Sequence, residues 1–269
     1  MPDAYNGEVR LAYERRGPGD ADTVVFVEGL GYGRWMWRWQ DDALDGYERI
    51  LYDNRGTGDS AVPEGPYTMA ELAADLGAVL DAVGVDAAHV VGASMGGMIA
   101  QQFALADDRV ASLTLVCTTP GGPDAVPTPE ATQARMYDVP EELDERERRR
   151  YKMHAAMSET FIADNPDLVE RIVDWRIESD ASEEAIGWQA AAVAEFDVHD
   201  RLGEIRVPAL VLHGTDDRVV PVENGRLLAE GLPEAEFHAL EGAPHLCFVE
   251  RADRVDDYLT AFLDDVSVQ

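Results

Sequence analysis

Residues 88–97 read AHVVGASMGG, and this stretch decides the fold. An apolar run, His89-Val90-Val91, stops at Gly92-Ala93-Ser94-Met95-Gly96 and gives way to MIAQQFALA, which has the composition of a helix. Strand, sharp turn and helix in that order are the setting in which a G-x-S-x-G pattern carries chemistry. The turn forces the serine into a strained conformation and lifts its hydroxyl above the sheet. Glycines on both sides, with Gly97 as a third, let strand and helix approach closely. The Met95 amide is left free at the helix start, where it can face a developing negative charge. The competing interpretation is a tight turn with a capping serine.

Working outward, the same alternation repeats. TVVFVEGLG (23–31) and ERILYDNRGTG (48–58) read as strands running into glycine-rich turns, and VASLTLVC (110–117) as another strand. Continuous β-branched runs such as VVFV suit strands covered on both faces. Residues 69–83 place Met69, Leu72, Leu76, Val79, Leu80 and Val83 on one helical face. EVRLAYERRG, ahead of the first core strand, alternates as an edge strand or hairpin. The spacing predicts an α/β fold with a mostly parallel central sheet flanked by helices. After residue 118 a Pro/Gly-rich stretch breaks the rhythm, and residues 130–200 carry helical patterns only. The α/β rhythm resumes at VPALVLHGTDD (207–217), followed by a helix near 222–231, the strand AEFHALEG, the loop APH and a closing helix near 250–264. The expected organisation is a core of residues 1–120 and 205–269 interrupted by a helical insertion, 121–204.

The chain has 269 residues with 53 acidic against 22 basic side chains, a formal charge of −31, and a single lysine, Lys152. Such a charge repels phosphate backbones and anionic lipids, which argues against nucleic acid or a membrane as partner. The acidic residues are spread along the chain, as expected for a protein working at high ionic strength in a salt-loving microbe. No apolar run approaches a membrane span and the first residues lack a signal-peptide core, so a cytoplasmic location is expected. Cys117 and Cys247 lie in apolar surroundings, without the spacing of a metal site or a disulfide scaffold. Neither metal nor cofactor is expected, and homo-oligomers are compatible with the sequence.

A serine hydroxyl needs a base, and the base needs a carboxylate to orient it. Of six histidines, His245 follows the last strand in the loop EGAPHLC, where functional groups collect. His89, His213 and His238 sit in or at the ends of strands and read as packed or hydrogen-bonded side chains. His154 and His199 belong to the insertion or its border. LVLHGTDDRVVP offers two carboxylates, Asp216 and Asp217, between which the local sequence does not choose.

Taken together these segments resemble the α/β-hydrolase fold family, in its capped esterase, lactonase and C–C hydrolase branch. The resemblance spans nearly the whole chain, with the insertion as the cap, and Ser94…Asp217…His245 is the family's chain order. The family places its acid three residues after a glycine, with a proline four further on; Gly214, Asp217 and Pro221 match, which selects Asp217. The loop Asp53-Asn54-Arg55-Gly56-Thr57-Gly58-Asp59-Ser60 resembles a structural loop of the family. The resemblance also assigns an oxyanion hole to the Leu30 and Met95 amides. One departure stands out: where the family carries His-Gly this chain has Glu28-Gly29. An ionised carboxylate there would oppose an oxyanion, so Glu28 must turn to a partner, hold its proton or contact the substrate.

The resemblance implies cleavage of a small-molecule carboxylic ester or lactone through an acyl-enzyme. The same residues serve an enol-lactonase or C–C hydrolase of aromatic breakdown, or a cofactor-free perhydrolase. A non-catalytic small-molecule-binding protein on the scaffold is the remaining alternative. Candidate substrate-binding residues are Glu28, Gly29, Tyr32, Trp35, Met157 and Trp188.

Overall fold

A computed structural model describes residues 2–266. Eight strands form one sheet: β1 (Asp3–Asn6), β2 (Val9–Arg16), β3 (Thr23–Val27), β4 (Glu48–Tyr52), β5 (Ala88–Ala93), β6 (Val110–Val116), β7 (Ala209–Gly214) and β8 (Ala235–Leu240). Their order is β1-β2-β4-β3-β5-β6-β7-β8. β1 and β2 are antiparallel and every pairing from β4 to β8 is parallel. Of the two readings of EVRLAYERRG, edge strand or hairpin, the structure has the hairpin, β1 with β2, at one edge, and the expected parallel sheet is the body of the molecule.

The apolar runs are explained by two-sided burial. In β3, Val25 and Val27 face one core while Val24 and Phe26 face the other. The first core is closed by α2 (Met69–Val83) and α3 (Met95–Ala104). The second is closed by a 3-10 turn at Arg34–Trp37 and, at the chain's end, by α10 (Cys247–Glu250) and α11 (Ala252–Asp265). α1 (Arg38–Ala43) follows the 3-10 turn, and α9 (Glu223–Gly231) lies between β7 and β8. Trp37 is fully buried with its ring 5.2 Å from Phe26 and 5.1 Å from Phe248, so this aromatic stretch is core rather than substrate wall. α2 has the predicted bounds because its ends are marked chemically. Thr68 and Glu71 form a reciprocal capping box, and Gly84 ends the helix at φ +76°.

Between β6 and β7 the chain is helical: α4 (Glu130–Tyr137), α5 (Glu145–Ala156), α6 (Glu159–Asp164), α7 (Pro166–Ser179) and α8 (Glu183–Ala194). Among the described residues no helix is long and apolar enough to cross a membrane.

The loop after β4 is built on buried ion pairs. Arg55 donates from Nε and Nη2 to the two oxygens of fully buried Asp75 at 2.6 and 2.7 Å. Ser60 Oγ donates to Asp53 O at 2.6 Å, and Asp53 accepts from the Asp59 amide. Removing one member of a buried pair strands the other charge. Asp75→Ala is expected to lower unfolding stability by about 3–5 kcal/mol in urea titrations; a change under about 1 kcal/mol would show that the pair is not structural in this sense.

Candidate active site

The carboxyl ends of the parallel strands converge on one region, the usual place for a site in an open α/β sheet. Ser94 follows β5, Leu30 the loop after β3, Asp217 the turn after β7 and His245 the loop after β8. They reach that region for local reasons. Ser94 has φ +53° and ψ −120°, a conformation that a side chain rarely adopts. Its amide donates to Val116 O at 2.9 Å, and its carbonyl accepts from Thr118 Oγ1 at 2.7 Å. A Cβ on Gly92 would stand 2.3 Å from Gly96 O, and one on Gly96 would stand 2.1 Å from Val27 O. The two flanking glycines are therefore required by close backbone approach.

His245 Nδ1 lies 2.8 Å from Asp217 Oδ2. The other Asp217 oxygen accepts from the Val219 and Val220 amides at 2.8 and 2.9 Å. Asp216, by contrast, sits exposed in the turn. Burial alone would push Asp217 up; the His245 ring, hydrogen bonds from His213 and His245, and the His213 ring hold it well below the usual carboxylate range. With an ionised carboxylate at Nδ1, the imidazole keeps its proton there and presents Nε2 elsewhere. The His245 loop is pinned by the Leu246 amide, which donates to Ala156 O of α5 at 2.9 Å.

Ser94 and His245 both line a cavity of about 860 Å³. Among the described residues none takes a hydrogen bond from the Ser94 hydroxyl, which is partly open to this space. Leu30 and Met95 line the same cavity, and neither amide has an acceptor among the described residues. Gly29 and Tyr32 also line it.

Four residues expected at the substrate lie elsewhere. Glu28 is fully buried beneath the loop, off the cavity wall. Trp35 is buried between Tyr32 and Trp175 and donates from Nε1 to Asp180 Oδ1 at 2.8 Å. Met157 is fully buried in the second core. Trp188 turns outward from α8 to pack on Tyr67, ring centres 5.6 Å apart, and to fill the space over Gly65. For Trp35, Met157 and Trp188 an apolar or aromatic side chain is drawn into packing between elements, which periodicity cannot separate from lining a cavity.

The cavity is walled instead by Met36, Met98, Ile186, Val193, Phe196 and Phe248, with Lys152 and Arg176 contributed by α5 and α7. Gln189 was also not foreseen. Fully buried, it accepts from the Gly31 amide at 2.8 Å and donates to Arg55 O and Thr57 Oγ1 at 2.9 and 3.0 Å. It ties α8 to the loop bearing Leu30. The only hint in the sequence is one amide in the alanine-rich run WQAAAVAEF.

Among the described residues one cluster has the donor set for a metal: ligand atoms of Cys117, His213 and Asp217 lie within 4.8 Å of one another. Its donors are committed otherwise. His213 Nε2 lies 2.8 Å from Val220 O, and burial followed by the contact with Cys247 pushes the Cys117 thiol up, away from the thiolate a metal needs. Cys117 and Cys247 are free thiols, 3.5 Å apart and buried.

Glu28 resolves the departure noted in the sequence. Neither of its oxygens has a partner among the described residues, and neither does the nearby Tyr52 hydroxyl. Burial, reinforced by Asp53, raises its carboxyl well above its ordinary value of 4.5. A protonated Glu28 puts no charge behind the loop that carries Leu30.

A profile of the α/β hydrolase fold matches residues 22–252. The 2-hydroxy-6-oxononadienedioate/2-hydroxy-6-oxononatrienedioate hydrolase of Paraburkholderia xenovorans is 33% identical over 276 residues, covering 96% of this chain and 92% of its own. The 3-oxoadipate enol-lactonase 2 of Acinetobacter baylyi is 31% identical over 249 residues, covering 91% and 89%. The crystal structure of the enol-lactonase from Burkholderia xenovorans superposes with a TM-score of 0.83 at 28% identity, covering 98% of this chain and all (100%) of that one. The chain belongs to the α/β-hydrolase fold family, and these relatives are hydrolases.

Two outcomes follow from the geometry. The native state holds the Glu28 proton above pH 4.5, where the unfolded chain releases it. Its contribution to stability is complete below that pH and is lost as pH rises towards the folded-state value. Glu28→Gln should therefore gain thermal stability over wild type progressively as pH rises above 4.5; a pH-independent difference would refute a protonated Glu28. Gln189→Ala leaves the buried Gly31 amide unpaired and should cost about 1–3 kcal/mol in denaturant titrations; wild-type stability would show that the tie is dispensable.

Proposed function

We propose that the protein hydrolyses a small-molecule carboxylic ester or lactone through Ser94, His245 and Asp217. The observation that carries this reading is that the Ser94 elbow and the Asp217-oriented His245 ring line one cavity, which Leu30 and Met95 line as well. A capping serine needs neither the strain nor the ring.

In the first step the Ser94 hydroxyl swings towards His245 Nε2 and gives up its proton as the oxygen bonds to the substrate carbonyl carbon. The electron pair of the C=O bond moves to oxygen, facing the Leu30 and Met95 amides. Asp217 keeps the ring oriented and stabilises the imidazolium without taking its proton. Collapse of the intermediate breaks the C–O bond, and His245 protonates the departing alkoxide. In a lactone that alkoxide stays attached to the acyl group. Water, deprotonated by His245, then releases the acid and restores Ser94.

Residues 121–204 serve as a cap over this chemistry, since α5, α7 and α8 supply much of the cavity wall. Enclosure by the cap favours a small or medium-sized molecule over a polymer. The lactonase and C–C hydrolase relatives support an ester or enol-lactone type of substrate. The charge of −31 supports work in a saline cytoplasm, where salt screens self-repulsion.

Ser94→Ala is expected to lower kcat for p-nitrophenyl butyrate by roughly 10³-fold or more, with the fold intact by circular dichroism. A fluorophosphonate should label wild-type protein at Ser94 and fail to label His245→Ala. Undiminished turnover in Ser94→Ala, or labelling elsewhere, would overturn the assignment.

A further inference from the structure

The sign of charge changes inside the cavity. The chain carries −31 overall, yet Lys152, its single lysine, lines the cavity beside Arg176. The Lys152 ammonium makes no hydrogen bond with any described residue. Its nearest carboxylate oxygen is Glu183 Oε1 at 3.9 Å, on a largely exposed side chain that also stands 4.0 Å from Arg148. Arg176 is better held. Its Nε donates to Asp180 Oδ2 at 2.7 Å, Nη1 donates to Arg149 O at 3.5 Å, and the guanidinium lies 4.7 Å from the centre of the Tyr32 ring. Arg149 shares Asp180 at 3.5 Å and has Glu145 at 3.8 Å. Four cations thus meet three carboxylates in contact with them.

The ammonium, a quarter exposed on a stretch of wall that includes Ala155, Ala156, Ile186 and Ala190, has three donors and no protein acceptor in hydrogen-bond reach among the described residues. Burial holds Lys152 below its ordinary value against the pull of Glu183, with Arg149, Arg176 and Arg148 adding to the depression. An anion arriving in the cavity would meet those free donors.

We propose that Lys152, backed by Arg176, determines specificity in this cavity by receiving a free carboxylate that the ester or lactone substrate carries away from its scissile carbonyl. The proposal rests on the hydrolase reading and narrows its substrate class to monoanionic acids. Lys152 is the cation of this wall that makes no hydrogen bond among the described residues and holds its carboxylate, Glu183, loosely at 3.9 Å; one such cation matches a single negative charge. A phosphate dianion would leave one charge uncompensated at low dielectric. Glu183 is the carboxylate that occupies the cation's vicinity in the free protein and gives way to the substrate.

The test pairs the monomethyl esters of glutaric and suberic acids with their dimethyl esters, at one ionic strength. Lys152→Met should raise KM for a monomethyl ester at least roughly tenfold more than for its dimethyl partner, with kcat little affected. Lys152→Arg should restore most of that selectivity, and Glu183→Gln should lower KM for the anionic ester only. Equal shifts for both ester types, or none, would overturn the proposal. A second arm is independent of turnover: calorimetric binding of the monomethyl and dimethyl esters to Ser94→Ala protein with and without Lys152→Met. A preference for the monoanion that disappears with Lys152 supports the assignment even if hydrolysis fails. Absence of that preference while Ser94 chemistry persists overturns the Lys152 assignment alone.

Discussion

The main chain at Ser94 sits at φ +53°, and the site depends on holding it there. A residue with a side chain in this region costs of order 1–3 kcal/mol, so it persists only where surrounding structure over-determines it. Here the Ser94 amide extends the ladder to β6 and the Ser94 carbonyl is fixed by Thr118. The Gly92–Gly96 approach then presses α3 against the end of β3. Those contacts require three adjacent parallel strands ending at one level. The turn that exposes the hydroxyl is also what starts α3, so strain, helix and the free Met95 amide are one construction.

Two buried carboxylates show how partners decide charge. Asp217 and Glu28 both leave water almost completely, and desolvation favours the neutral form of each. Asp217 receives two backbone amides and an imidazole and stays ionised. Glu28 finds no partner among the described residues, and burial pushes its carboxyl well above its ordinary value, towards the neutral form. One carboxylate can therefore orient the His245 ring while the other, favouring its neutral form, sits beneath the loop that carries Leu30. Distance along the chain has nothing to do with the outcome; local donors have everything to do with it.

The helical segment between β6 and β7 is tied to the sheet by polar contacts as well as packing. Gln189 holds the Leu30 loop, Ala156 holds the His245 loop, and Ser158 donates to Glu250 from its amide and hydroxyl, both at 2.7 Å. Movement of these helices would be felt at the Leu30 loop and at His245 together. The same helices bring the cations into the cavity, so the segment sets both the shape and the charge of the space above Ser94.

The sequence by itself determined the elements that obey short-range rules. Apolar runs sized for strands, the boxed helix 69–83 and the glycine-flanked Ser94 follow from periodicity, capping and backbone sterics within about ten residues. The separation of the catalytic candidates, Ser94, His245 and one of two aspartates, was legible because strand ends and loops mark themselves. The choice of Asp217 needed the family's spacing, and only the structure supplied its physical basis in the 2.8 Å contact with His245 and the amides of Val219 and Val220. Tertiary structure alone decided which side chains line the cavity. Trp35, Met157 and Trp188 are as apolar as Met98 and Ile186, and nothing local says which will be consumed by packing between elements. Lys152 and Gln189 act across separations of many residues, where a polar side chain in a helix looks like any solvated one until the opposing surface is in place.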